Sequence, residues 1–280
     1  GAYLHRVFSG QRTFLDPLLL PAERGIYRLT GVDPVEEMGW REYSRAFIRF
    51  GALGATLLYL ILRLQSVFPW HFPAWQTTPL TPDLSVNTAV SFATTTTWQA
   101  YGGEITMSYF SQIAGLTAQN FLAGAAGLAV GFAFIRGLAG HGGNNLGNFW
   151  VDLVRALLWV LLPIAVIVTP LLVWQGVPLN FNVYTPVQTL AGVEHLLPQG
   201  PVAALEVIKN LGTNGGGFFN VNGAHPFENP TAVTNFVEML VIVIVPAAMT
   251  LAFGRMVRQP RHGWLLYWVM MVLFVAGIVV

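Results

Sequence analysis

Between positions 105 and 135 the chain carries no charged side chain; the next is Arg136. A bilayer core is about 30 Å thick and a helix rises about 1.5 Å per residue, so ~20 apolar residues are enough to cross it. Comparable apolar runs recur at 46–68, 148–174 and 231–252, and another, 265–280, closes the sequence. Only 10% of the residues are charged and 54% are hydrophobic, against roughly 25% charged in an ordinary soluble domain. These runs predict an all-α integral membrane protein. A chain stopping inside an apolar run is expected to continue, and residues 1–10 lack the apolar core of a signal peptide.

The segments between the runs divide into two kinds. Residues 1–45 read as a polar segment with short helical pieces, and 71–83 as an interfacial loop rich in Pro and Trp. In contrast, 84–93 is apolar but too short to cross, and it leads into Thr94-Thr95-Thr96-Thr97-Trp98-Gln99. The same order returns later: a polar loop (175–200), a short helix (201–211), then Gly212-Thr213-Asn214-Gly215-Gly216-Gly217 and a further span. Taking Thr95 and Thr213 as equivalents, the two turns lie 118 residues apart. The chain therefore reads as a cytoplasmic segment (1–45, with most of a first span missing), a pore unit at 46–136 with its loop at 94–99, a second at 137–256 with its loop at 212–217, and the truncated start of a third at 257–280.

Charge sets the expected orientation. Lys and Arg gather in short loops on the cytoplasmic side, and the segments 1–45, 136–147 and 253–263 hold ten of the fourteen. Segment 66–104 has none and 175–231 has only Lys209. Both short-helix-plus-turn segments thus face outside and return to the side they enter from. Arg63, near the opposite end of its span, must snorkel or find a partner.

Non-helical backbone at membrane depth is tolerated where protein buries it or where it lines a water-filled path. A cation filter replaces the hydration shell with backbone carbonyl oxygens. Glycine adopts the required backbone angles without a Cβ clash, which suits 215–217. Threonine adds a hydroxyl oxygen, which suits 94–97. The short helices would aim the partial negative charge of their C-termini toward the ion path. Lys209 is out of place beside such a path, so it either pairs, with Glu206, or points away. Glu104, Glu206 and Glu228 are expected to cap helices, with attraction of cations toward the turns as the alternative. Ser108, Gln112, Thr117, Gln119 and Asn120 fit interhelical hydrogen bonding as well as pore lining, and Gly115, Gly124 and Gly127 permit close helix approach.

Other chemistries find little support. The six histidines show no ligand spacing, there are no cysteines, and no catalytic triad, Walker motif or phosphorylation motif emerges. A net charge of +1 gives no field for nucleic acid. From the residues alone, a scaffold in which both turns are plain loops stays open.

The run Leu211-Gly-Thr-Asn-Gly-Gly-Gly-Phe-Phe-Asn220 with His225-Pro-Phe-Glu-Asn-Pro-Thr231 resembles the signature of the A subunits of Kdp potassium-transporting ATPases. So do Trp98-Gln99 with Gly103-Glu104, the stretch 108–122, and Phe14-Leu-Asp-Pro17 with Gly31-Val-Asp-Pro34. The resemblance covers essentially the whole chain. It implies a fold like the Trk/Ktr potassium channels, with span–pore helix–filter loop–span units, two here of an expected four. It implies a non-hydrolytic subunit that binds potassium through filter carbonyls, with no organic cofactor, and passes it along an intramembrane tunnel. The implied partners are a P-type ATPase B subunit, a C subunit and a small F subunit in the bacterial inner membrane. Carried over by motif, the filter residues are Thr95, Thr96, Thr97 and Gln99 in the first loop, beside Thr94, and Gly212, Thr213, Asn214 and Gly215 in the second. The family often reads Thr-Asn-Thr-Asn-Trp-Gln at the first turn, so threonine stands for asparagine at 95 and 97. A free-standing Trk-like channel or symporter subunit is the alternative.

Overall fold

The computed structural model describes residues 1–68, 80–140 and 145–279; most of the Pro/Trp-rich interfacial loop, His71 included, and His141 lie outside them. The chain is almost wholly helical. Its short early helices are α1 (Ala2–Phe8) and α2 (Asp16–Thr30), followed by α3 (Trp40–Arg63), α4 (Pro82–Ala93) and α5 (Gly103–Thr106). Next come α6 (Ala118–Leu138), α7 (Phe149–Arg155) and α8 (Leu162–Trp174), then α9 (Val202–Leu211), α10 (Ala232–Met256) and α11 (Pro260–Val279). Wide π-type turns join Ser111–Thr117 to α6 and Ala156–Leu161 to α7 and α8. Among the described residues, five continuous helices are long and apolar enough to cross a membrane: Trp40–Arg63, Ser111–Leu138, Phe149–Trp174, Ala232–Met256 and Pro260–Val279.

Three departures from the sequence expectation have local causes. Helix α3 starts at Trp40, ahead of its apolar run, because Glu42 turns back to accept the Gly39 amide at 3.1 Å, a capping arrangement that hydropathy does not register. The uncharged run 105–135 is not one helix. It breaks at Met107, which is extended, and Gln65 takes up the freed groups: its amide donates to the Thr106 carbonyl and its oxygen accepts from the Ser108 amide, both at 3.1 Å. Ser108 Oγ then accepts the Ser111 amide at 3.1 Å and opens the next helix. Within the expected polar loop 175–200, Thr185–Gln188 and Glu194–Leu197 pair as an antiparallel hairpin, with Thr185 opposite Leu197.

By contacts the chain forms two compact units. One comprises Gly1–Ile48, Ala125–Pro163 and Ile242–Val280. Its buried charges are paired. Arg136 grips Asp152 with both guanidinium arms, at 2.6 and 2.8 Å, and Tyr43 donates to the same carboxylate at 2.9 Å. Glu23 accepts from Arg155, Trp159 and Tyr27 at 3.1, 2.8 and 2.7 Å. Pro163 has no amide to offer the carbonyl four residues back, and that carbonyl, of Trp159, accepts from Tyr3 Oη at 2.6 Å instead.

The other unit comprises Arg49–Gly124 and Ile164–Val241. Leu58, Leu62, Phe92, Met107, Leu116 and Leu205 are among the residues of its core. Arg63 finds a partner in the Leu80 carbonyl. Gly115 lies against Leu58 and Ile61, and Gly124 against the backbone of Gly212, as expected of close-packed glycines; Gly127, in the first unit, has no neighbour among the described residues within 4 Å of where a Cβ would lie. Both filter-type turns belong to this second unit.

Candidate ion-binding site

Helix α4 begins on Thr81, whose hydroxyl accepts the Leu84 amide, and Pro82 occupies its first turn. It ends at Ala93 because the chain turns left-handed twice, at Thr95 (φ 64°) and Thr97 (φ 54°), with Thr96 between them outside that region. A β-branched residue at positive φ is a true outlier. Backbone strain of this kind persists only where the surroundings impose it, and it gathers at ligand sites. The imposing contacts are visible. The Thr97 amide returns to the Ser91 carbonyl at 3.1 Å, and Ser91 Oγ donates to the Trp98 carbonyl at 3.2 Å. Thr95 Oγ1 donates to the Thr94 carbonyl at 2.6 Å, and the Thr94 and Thr96 hydroxyls lie 3.3 Å apart.

The second turn repeats the plan. Helix α9 ends at Leu211, Gly212 caps it, and Thr213 turns left-handed at φ 51°. The Asn214 amide donates back to the Lys209 carbonyl at 3.0 Å. With its side-chain nitrogen turned toward them, Asn214 also lies within donating distance of the Gly212 carbonyl (3.3 Å) and the Asn120 carbonyl (3.2 Å). Gly216 is left-handed at φ 74°, its amide donating to Asn222 Oδ1 at 2.7 Å.

The two turns meet. A Cβ on Gly215 would fall 2.8 Å from Thr97 Oγ1, and one on Gly216 would fall 2.8 Å from the Thr97 carbonyl oxygen and 3.0 Å from Gln99 Oε1. Among the described residues, no hydrogen bond engages the carbonyls of Thr95, Thr96 and Thr97 in the first turn or of Thr213, Asn214 and Gly215 in the second. Thr94, Thr95, Thr96 and Thr213 are exposed, while Thr97 is fully buried. Free carbonyl oxygens at the negative ends of two helices are groups chemically able to coordinate a cation. Gln99 donates to Tyr101 Oη at 3.0 Å and so braces the end of its loop.

Lys209, Glu206 and Glu228 near the turns all have protein partners. Lys209 pairs with Glu206 at 2.7 Å, as one of the two sequence expectations had it. Glu228 caps no helix; its carboxylate accepts the Phe219 and Gly223 amides at 3.4 and 3.2 Å and fixes the loop after the second turn. Glu206 likewise serves Lys209 and Asn210 rather than a helix start. Burial pushes its carboxyl up, with Lys209 pulling the other way and Glu228 reinforcing the rise. Burial also raises the Glu104 carboxyl; its own backbone hydrogen bond and His225 oppose the rise, and Glu228 adds to it. The sequence reading missed Asn222 and Ser91 as braces. The one signal for Asn222 was its residue type, since asparagine tolerates the left-handed region it occupies at φ 53°.

Fold and site together define a multi-pass α-helical membrane protein built around paired non-helical loops whose carbonyls are left free. The family model described as the potassium-transporting ATPase A subunit matches residues 1–280. The chain is 53% identical over its whole length to a potassium-transporting ATPase potassium-binding subunit of Methylobacterium radiotolerans, of which it covers 49%. It is 52% identical to proteins of the same description from Rhodospirillum centenum and Bradyrhizobium diazoefficiens, covering 48% and 49% of them. This chain belongs to the potassium-transporting ATPase A subunit family, and it spans about half the length of the curated relatives it matches.

Proposed function

We propose that this chain supplies two of the loops that coordinate potassium in the potassium-binding subunit of an ATP-driven uptake complex. The carbonyls of Thr95, Thr96 and Thr97 and of Thr213, Asn214 and Gly215 face the ion. Thr94, Gly212 and Gln99 hold the ends of the two rows. The ion is cargo: it exchanges its water shell for carbonyl oxygens and moves on. The chain itself hydrolyses nothing, and the working assembly pairs it with a P-type ATPase B subunit, a C subunit and a small F subunit. The loops face the outside of a bacterial inner membrane in this reading, and the gathering of Arg in the segments on the other side supports that orientation.

The observation that carries this reading is the trio of left-handed threonines, Thr95, Thr97 and Thr213. Three β-branched residues in a disfavoured backbone region, all in the two matched turns, are hard to account for in ordinary loops. The test is Gly215→Asp in a complete, purified complex. A side chain at 215 collides with Thr97 Oγ1, and the apparent affinity for potassium in ATPase activation should fall by more than about ten-fold, a change of ~1.4 kcal/mol. An unchanged affinity overturns the filter assignment. Co-purification of a P-type ATPase with the chain tests the partner assignment separately.

A further inference from the structure

Resting on the filter reading above, we infer that Ser91 and Lys209 are equivalent positioning residues, each tying down the peptide that ends its loop's row of ion-facing carbonyls. The two residues are 118 positions apart, the same interval that separates Thr95 from Thr213 and Trp98 from Gly216. Each sits near the C-terminal end of its short helix, α4 or α9. Ser91 Oγ donates to the Trp98 carbonyl at 3.2 Å, and Lys209 Nζ donates to the Gly216 carbonyl at 3.3 Å. One helix position therefore holds one loop position in both repeats, by a hydroxyl in the first and an ammonium in the second. The backbone carbonyls of the same two residues each accept a loop amide as well, from Thr97 and from Asn214.

The consequence for the rows is direct. The free carbonyls run from Thr95 to Thr97 and from Thr213 to Gly215, and the next carbonyl in each chain is captured. At Gly216 both polar atoms of the residue are committed, the amide to Asn222 and the carbonyl to Lys209. A captured carbonyl cannot swing toward an ion, so each row stops after its third carbonyl.

The lysine needs support that the serine does not. It is 3% exposed, and a buried unpaired ammonium is strongly unfavourable. Three carboxylates converge on it. Glu206 pairs with it at 2.7 Å. Lys209 Nζ and Glu228 Oε1 lie within 3.3 and 2.6 Å of the point where a Cβ on Gly217 would sit. Lys209 Nζ, Glu206 Oε1 and Glu238 Oε2 lie within 3.3, 2.9 and 3.5 Å of the corresponding point on Gly223. Glycine at both places leaves room for the cluster, and the ion pair with Glu206 offsets the repulsion that a lone ammonium would exert on a cation in the row.

The test uses Ser91→Ala, Ser91→Thr and Lys209→Met in the complete complex, with Gly215→Asp alongside. Potassium and sodium titrations of ATPase activity are run on assembled, purified material. Removing one such hydrogen bond should weaken apparent potassium affinity about three- to ten-fold and narrow the preference for potassium over sodium, with activity at saturating potassium retained. Ser91→Thr keeps the hydroxyl and should restore both. Should Lys209→Met fail to assemble, Ser91→Ala with its threonine rescue decides alone. Unchanged affinity and selectivity in Ser91→Ala, while Gly215→Asp impairs binding, overturns the positioning role and leaves the filter reading standing. Unchanged values in both variants overturn the two together.

Discussion

Gly216→Ala puts the contact between the two loops to a quantitative test. The residue sits at φ 74°, where an L side chain costs about 1–2 kcal/mol. The new Cβ would also lie 2.8 Å from the Thr97 carbonyl oxygen, whereas ordinary van der Waals contact begins near 3.4 Å. That oxygen is backbone and cannot rotate away as a long side chain would, so the first loop must retreat by about 0.6 Å or the second must unwind. Either response moves the carbonyls proposed to hold the ion, and ligand sites lose heavily to displacements of this size. Apparent potassium affinity in the complete complex should fall about ten-fold, the equivalent of ~1.4 kcal/mol, read from the potassium dependence of ATPase activity. Gly127→Ala is the control: among the described residues nothing lies within 4 Å of its added methyl, and affinity should not change. A Gly216→Ala complex with wild-type potassium dependence would refute the idea that the loops set each other's geometry.

Thr95→Asn and Thr97→Asn should raise thermal stability slightly, by about 0.5 kcal/mol each, because asparagine tolerates positive φ better than a β-branched residue; a loss of stability in detergent melts would show that the threonine side chains brace the turn. Asp152→Ala leaves Arg136 without its carboxylate partner and should cost about 3–5 kcal/mol of stability, visible as a large fall in melting temperature. Glu104 carries a carboxyl raised mainly by burial, so the fold favours its protonated form. That contribution is present below the ordinary glutamate range and is lost as pH rises through the raised value; melting temperatures against pH should decline less steeply over that window for Glu104→Gln than for the native chain.

Composition made the membrane class and the short helices α4 and α9 readable, because a long uncharged run and a short apolar one differ plainly in what they can cross. The break at Met107 was not readable. It depends on Gln65, more than forty residues away in sequence, offering both halves of its amide to the interrupted backbone. At the site, glycine was the expected source of unusual backbone angles, yet threonine supplies three of them. Propensity assigns threonine to extended backbone, and the contacts that hold the two turns, those of Ser91 and Lys209 among them, override it. Lys209 stood out in the sequence as a cation in the wrong place. What could not be read was its target, since a lysine two residues from a helix end can face several ways.

The left-handed threonines also bear on what could be transplanted from this protein. A loop whose shape runs against the preferences of its own residues has no memory of that shape once its supports are gone. A peptide spanning 90–100, or the same stretch grafted onto a foreign hairpin, would relax into an ordinary turn and scatter its carbonyls. Under the proposed filter reading, ion recognition would thus be a property held by the helices behind the loops and lent to the residues that touch the ion.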